Sequence, residues 1–182
     1  MYYTGHGDLG FTTVIGGVAL PKCDPRLETL GALDEVHAHL GLVRALLPCA
    51  ASAAAILHTQ HLLYRIMSEI ATVMNEASSA CYVTEADVRQ LEDDLAAWEQ
   101  QTGGWTHLTT PGDSIAGAHL HIARTIARRA ERHAVALKLT GAFVAPLTLI
   151  LLNRLSSWLF GFAQLVETAS TAIFAIDQGQ RV

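Results

Sequence analysis

The stretch Asp24-Pro25-Arg26-Leu27-Glu28-Thr29-Leu30-Gly31-Ala32-Leu33-Asp34-Glu35-Val36, running on to Leu47-Pro48, decides the reading of the fold. Asp24 is a capping residue type, proline suits the first helical position, and Leu27, Leu30, Leu33, Val36, Leu40, Val43 and Leu47 recur at steps of three and four. Such spacing puts one apolar stripe along a helix, and Pro48 ends it. A helix this long with one greasy side needs other helices to cover it.

The rest of the chain supplies them. A second helix is predicted from about Ser52 to Glu76, with Leu57, His61, Tyr64, Met67, Ile70 and Met74 on one line, followed by a connector over 77–83. Thr84-Glu85-Ala86-Asp87 has the form of a capping box, and Val88, Leu91, Leu95 and Trp98 follow it up to Gly103-Gly104. Asp113 or Ser114 can cap a fourth helix reaching about Lys138, whose apolar line reads Ile115, Ala118, Ile122, Thr125 and the alkyl part of Arg129. Gly141 breaks the pattern. Pro146 opens a fifth helix carrying Leu149, Leu152, Leu155, Leu159 and Phe162, and reaching about Ile176. Residues 1–182 therefore predict a single all-α domain, an antiparallel five-helix bundle, with residues 1–23 as a glycine-rich N-terminal arm lacking helical period.

Composition narrows the function classes. The chain is 51% hydrophobic and only 16% charged, against about 25% charged for an average domain. Burial between subunits accounts for such a surface. A formal net charge of −5 argues against a nucleic-acid partner. The apolar run 142–152, interrupted by Pro146 and Thr148, is far short of the ~20 residues that span a bilayer, so no membrane partner is expected. The opening residues have neither a basic nor an apolar export region, and Cys23, Cys49 and Cys81 form no Cys-x-x-Cys pair. A cytoplasmic protein with reduced, structural cysteines is the expectation.

Two segments can carry chemistry. Arg124, Arg128 and Glu131, at i, i+4 and i+7, place two guanidiniums and a carboxylate on one helix face, which can hold a polyanion, although spacing alone favours a solvated face with i, i+3 ion pairs. The arm residues Gly7, Asp8, Gly10 and Thr12 offer backbone N–H groups, a carboxylate and a hydroxyl to phosphates and Mg²⁺, without the Gly-Lys-Ser/Thr ending of a Walker loop. Asn153-Arg154 interrupts an apolar helix. The nine histidines form no His-Glu-x-x-His or Glu-x-x-His motif, so no metal site is assigned to them.

Several blocks occur together in one order. They are Tyr3-Thr4, Gly7-Asp8-Leu9-Gly10, Thr12, Gly16-Gly17, Pro21-Lys22, Asp24-Pro25-Arg26 and Gly31-Ala32-Leu33-Asp34-Glu35; then Gln60, Leu63-Tyr64 and Glu69-Ile70-Ala71. The most specific are Leu120-His121-Ile122-Ala123-Arg124-Thr125-Ile126-Ala127-Arg128-Arg129-Ala130-Glu131-Arg132 and Leu152-Asn153-Arg154-Leu155-Ser156. In these blocks the chain resembles the PduO-type ATP:cob(I)alamin adenosyltransferases over nearly its full length.

The resemblance implies a five-helix bundle assembled as a homotrimer, with ATP, Mg²⁺ and cobalamin bound between subunits. It implies transfer of the 5′-deoxyadenosyl group of ATP to cob(I)alamin with release of triphosphate. Carried over by position, Arg128 binds the triphosphate, Asp34 and Arg124 form an intersubunit ion pair, and Glu131 and Asn153 hold the nucleoside. Gly7, Asp8, Gly10, Thr12 and Lys22 wrap the phosphates and Mg²⁺. This chain departs from the family pattern at Gly5 and Ala19, where arginines are usual. It departs also at Leu108, where an aromatic residue helps exclude the lower cobalt ligand, at Asp113 in place of glycine, and at Ser157 in place of aspartate on the corrinoid side. These departures leave open a bundle of the same ancestry that has lost the reaction and takes a different, more apolar small molecule at the subunit interface.

Overall fold

The computed structural model describes residues 3–73, 83–104 and 109–179, with side chains as far as Ala169. Met74 and Cys81 lie outside the described residues. The arm contains a short antiparallel hairpin, β1 (Phe11–Thr13) and β2 (Ala19–Pro21), pairing Phe11 with Pro21. Five helices follow among the described residues: α1 (Pro25–Leu46), α2 (Ala50–Ala71), α3 (Glu85–Thr102), α4 (Ile115–Leu139) and α5 (Pro146–Gly179). Asp24 caps α1, Thr84 and Asp87 form the reciprocal box at α3, and Ser114 rather than Asp113 caps α4 through the Gly117 N–H.

The helices pack in the spatial order α2, α1, α4, α5, α3. Glu35 with Arg129 and His39 beside His119 set α4 antiparallel to α1, and Asn153 with Glu131 and Glu167 with His121 set it antiparallel to α5. Alternation along the chain makes α3 and α5 parallel neighbours, joined by the Arg154–Glu92 ion pair (2.8 Å) and by Trp98 against Trp158 and Phe162. The segment Pro146–Ala169 is long and apolar enough to cross a membrane by length and composition. In this fold its Leu151, Leu152, Leu155, Trp158, Leu159 and Phe162 fill the bundle core.

Two apolar lines differ from the sequence reading. On α2, Leu57, His61 and Tyr64 face solvent, and Ile56, Leu63, Ile66 and Ile70 form the buried line. The helix ends at Ala71, earlier than its periodicity suggested. On α4, Ile115 and Ile122 are 70% and 42% exposed and Thr125 is exposed, whereas Leu120, Ala123, Ala127, Ala130 and Ala134 are buried. The cause is that α4 lies between two neighbours, so small alanines are placed where α1 and α5 approach, while Ile115 and Ile122 fall outside and Ile126 and Leu120 inside. Cys23 and Cys49 are free and exposed rather than structural.

The arm is tied to the C-terminus of α2. The Ile15 N–H donates to the Ala71 carbonyl (3.1 Å), and the buried Arg26 guanidinium donates to the carbonyls of Ile70 and Thr72. Those carbonyls have no partner within their own helix, so Arg26 closes a helix end while burial pulls its pKa downward. Glu69 completes the junction by accepting from the Ala145 N–H (3.2 Å) and the Thr148 hydroxyl (2.8 Å) at the start of α5. Arg26→Met keeps the bulk but leaves the carbonyls unmet. It is expected to lower stability by about 1–3 kcal/mol, read as a lower denaturation midpoint at unchanged m-value. A midpoint equal to the wild type would show that water serves the helix end as well.

Candidate functional site

Arg124 and Arg128, one turn apart on α4, line a cleft of about 340 Å³ together with Ser156, Ser157 and Phe160 of α5. The Arg124 guanidinium sits 6.0 Å above the Phe160 ring, and its buried Nε has no hydrogen-bond partner among the described residues. Arg128 is exposed, and its carbonyl accepts from Arg132, whose own guanidinium thereby turns along the helix. One turn further, Glu131 accepts from the Asn153 amide (3.0 Å), and Asn153 accepts from Arg154 (3.0 Å), which is held by Glu92. The predicted cation face is thus a wall between two helices, with its carboxylate already oriented by a neighbouring amide.

Ser157 and Phe160 also border a second pocket of about 300 Å³ between α3 and α5, with Trp98, Leu95, Gly161 and Gln164. Gly161 is required there, because a Cβ would stand 2.9 Å from Leu95 and 3.3 Å from Trp98. Cations on one side and an aromatic, largely apolar recess on the other suit a ligand with both an anionic part and a flat apolar part.

Asp34 is placed elsewhere. It borders a groove of about 700 Å³ on the opposite flank of α4, with Gly31, Ala38, Arg129 and His133. Within one chain Arg129 pairs with Glu35, not with Asp34, and Asp34 and Arg124 line separate clefts. In the arm, Gly10 has a φ of 83° and the Lys22 N–H donates to its carbonyl (2.8 Å). The Lys22 ammonium lies so close to Gly7 that a Cβ there would be 2.9 Å from it. Asp8 and Thr12 belong to the same hairpin, whose anchor is α2 rather than the arginine wall. Leu108 lies outside the described residues. Among the described residues no group of three or more His, Cys, Asp or Glu side chains could hold a metal ion. His37 instead packs on Tyr64 and His39 lies beside His119.

A model of the cobalamin adenosyltransferase family matches residues 2–166. The chain belongs to that family. It is 34% identical to a corrinoid adenosyltransferase of Citrobacter freundii over 91% of this chain and 94% of that one. It is also 34% identical to a corrinoid adenosyltransferase of Bacillus subtilis over 92% and 87%. Its fold matches a variant PduO-type ATP:corrinoid adenosyltransferase from Lactobacillus reuteri, solved with cobalamin and ATP, with a TM-score of 0.86 and 29% identity over 92% and 94% of the chains.

Membership gives the substituted positions a structural context. Gly5, where the resemblance leads us to expect arginine, has a φ of 73°, so a side chain there is strained in this arm. Ala19 is an exposed position of β2. Asp113 adds a carboxylate immediately before the α4 cap.

The sequence reading missed a buried pair behind the wall. His121 of α4 and Glu167 of α5 are 3% and 6% exposed, with Nε2 and Oε1 3.8 Å apart. The available signal was a single acidic residue, Glu167, in the run 147–169 of α5. Burial lowers the His121 pKa, helped by Arg124, and burial raises that of Glu167, helped by Asp113. For His121 the unfolded chain binds more protons between the depressed folded value and about 6.5, so stability falls as pH drops through that window. For Glu167 the folded chain binds more protons above about 4.5, so stability falls as pH rises through its raised value. Glu167→Gln cannot ionise. It is expected to raise the melting temperature by a few degrees more at pH 8 than at pH 5, and an equal change at both would show that the folded carboxyl titrates as it does in the unfolded chain.

Proposed function

We propose that the protein is an ATP:corrinoid adenosyltransferase. The observation that carries the reading is the Arg124–Arg128 wall beside the Phe160 and Trp98 recess, in a chain similar along most of its length to corrinoid adenosyltransferases. Cob(I)alamin, as substrate, supplies the electron pair that forms the cobalt–carbon bond with the ribose C5′, while the C5′–O bond breaks and triphosphate leaves. The protein's work is to hold the carbon in line and to meet the charge growing on the leaving group. Arg128 meets that charge, since its exposed guanidinium can take phosphate oxygens in pairs. Glu131 and Asn153, hydrogen-bonded to each other, present acceptor and donor to the nucleoside. The arm brings the Lys22 ammonium and the N–H groups around Gly7 and Gly10 to the phosphates. The exposed Asp8 carboxylate is the hard oxygen ligand that Mg²⁺-triphosphate takes.

The protein works as a homotrimer in this reading. Asp34 and Arg124 lie on opposite flanks of α4 and can meet only between neighbouring subunits, where Asp34 would neutralise the buried side of Arg124. The apolar surface fits: Leu42 and Leu46 of α1 and Ile115 and Ile122 of α4 are each at least 40% exposed. A cytoplasmic site of action accords with the free, exposed Cys23 and Cys49. A bundle turned to another apolar ligand has no use for two arginines in one cleft, and both are present here.

The assay is growth of the adenosylcobalamin absorption band from reduced cobalamin and Mg-ATP. No band, together with no ATP binding by calorimetry, would sink the assignment. Arg128→Ala is expected to weaken ATP binding by about 1.5–3 kcal/mol, and Arg132→Ala by much less, because Arg132 is directed along the helix. Equal effects would mean that the arginine face is only solvated. Sedimentation at micromolar concentration is expected to give a trimer, and a monodisperse monomer refutes the shared site.

A further inference from the structure

The pair His121–Glu167 is part of a longer chain of contacts. The Thr109 hydroxyl, on the segment before α4, donates to the Gln164 carbonyl oxygen (3.5 Å), and the Gln164 amide donates to Glu167 Oε2 (3.3 Å). Glu167 Oε1 faces His121 Nε2, and the His121 ring meets Phe160 edge-on, with centroids 5.9 Å apart. Phe160 carries Arg124 on its face and lines both the arginine cleft and the apolar recess. Gly117 makes room for the carboxyl, since a Cβ there would stand 2.4 Å from Glu167 Oε1.

We propose that Glu167, through Gln164 on one side and His121 on the other, is a positioning residue that ties the segment before α4 to the Phe160–Arg124 wall. The proposal rests on the cleft being the corrinoid and ATP site. The physical reason is close packing: the Glu167 carboxyl, held on one side by the Gln164 amide and set against the buried His121 ring on the other, limits how far that ring and the Phe160 packed on it can move. Neutral carboxyl and neutral imidazole suit that packing, because an imidazolium behind Arg124 would repel the guanidinium and a carboxylate would draw it inward. The charged groups felt at the pair are Arg124 on α4 and Asp113 on the segment before it, while α5 contributes the uncharged Gln164 and Phe160.

The test uses the full chain with Glu167→Leu, Glu167→Gln and Thr109→Val, each first checked for an intact fold by its melting curve. Glu167→Leu is expected to raise the KM for the corrinoid about tenfold while changing that for ATP by less than about twofold, and Glu167→Gln to recover most of the loss. Thr109→Val is expected to shift the corrinoid KM in the same direction by about two- to threefold. The wild type is expected to lose corrinoid kcat/KM as pH rises and Glu167 ionises, and Glu167→Gln to lack that limb. An equal rise in both KM values, an unrescued Glu167→Gln, or the same alkaline limb in both proteins overturns the proposal. A readout without turnover separates its failure from that of the assigned reaction. The Arg124 Nε–H resonance, identified by its loss in Arg124→Lys, should move in Glu167→Leu and stay near its place in Glu167→Gln. If it stays fixed in Glu167→Leu, the positioning role is refuted. A wild type that makes no adenosylcobalamin but shows that shift refutes only the assigned reaction.

Discussion

The rest of this structure depends on α4 packing against α1 and α5 at once. A helix with one neighbour needs one apolar stripe, whereas a helix with two must bury most of its circumference and still leave room for both partners. Ala123, Ala127, Ala130 and Ala134 meet that demand, each fully buried and each small enough to let a neighbouring backbone come near. The part left uncovered holds Arg124 and Arg128 at one edge and Ile115 and Ile122 at another. The arginine wall is therefore a product of the packing: the sector that cannot be buried against α1 or α5 is the sector left for charge.

The same constraint explains why Asp34 and Arg124 do not meet within a chain. α1 lies on one flank of α4 and the Ser157–Phe160 face of α5 on the other, so α4 stands between their clefts. The division makes the isolated bundle electrostatically incomplete, with a buried guanidinium nitrogen unsatisfied. In the proposed homotrimer the Asp34 carboxylate of one subunit and the exposed isoleucines and leucines of its neighbours would be taken up together.

Helix number, capping and order were legible in the sequence because they rest on local chemistry. Asp24 before Pro25, the Thr84–Asp87 box and Ser114 all act within one turn of the backbone. The phase of the apolar faces on α2 and α4 was not legible, because those helices carry apolar residues on several sides and only the neighbours decide which side is inside. The Arg124–Arg128–Glu131 face was legible from its spacing, and the Glu131–Asn153 bond joins two blocks singled out for their order in the chain. The apolar recess was not, since Trp98, Gly161 and Phe160 come from separate segments and have no spacing in common. Arg26 and Glu69 stood in the sequence only as members of two ordered blocks, with no structural role assigned. Their role as closures of helix ends appears only when α2 is brought beside the arm and the start of α5.

Two residues bear on the charge around the cleft. Ser157 puts a hydroxyl on the rim shared by the cleft and the recess, while Asp113 stands immediately before the α4 cap. Asp113 is exposed, so water screens it, and burial is the larger cause of the raised Glu167 pKa, with Asp113 adding to it. With a hydroxyl rather than a carboxylate at Ser157, Arg124 and Arg128 are the charged side chains lining the cleft that a ligand meets on entering.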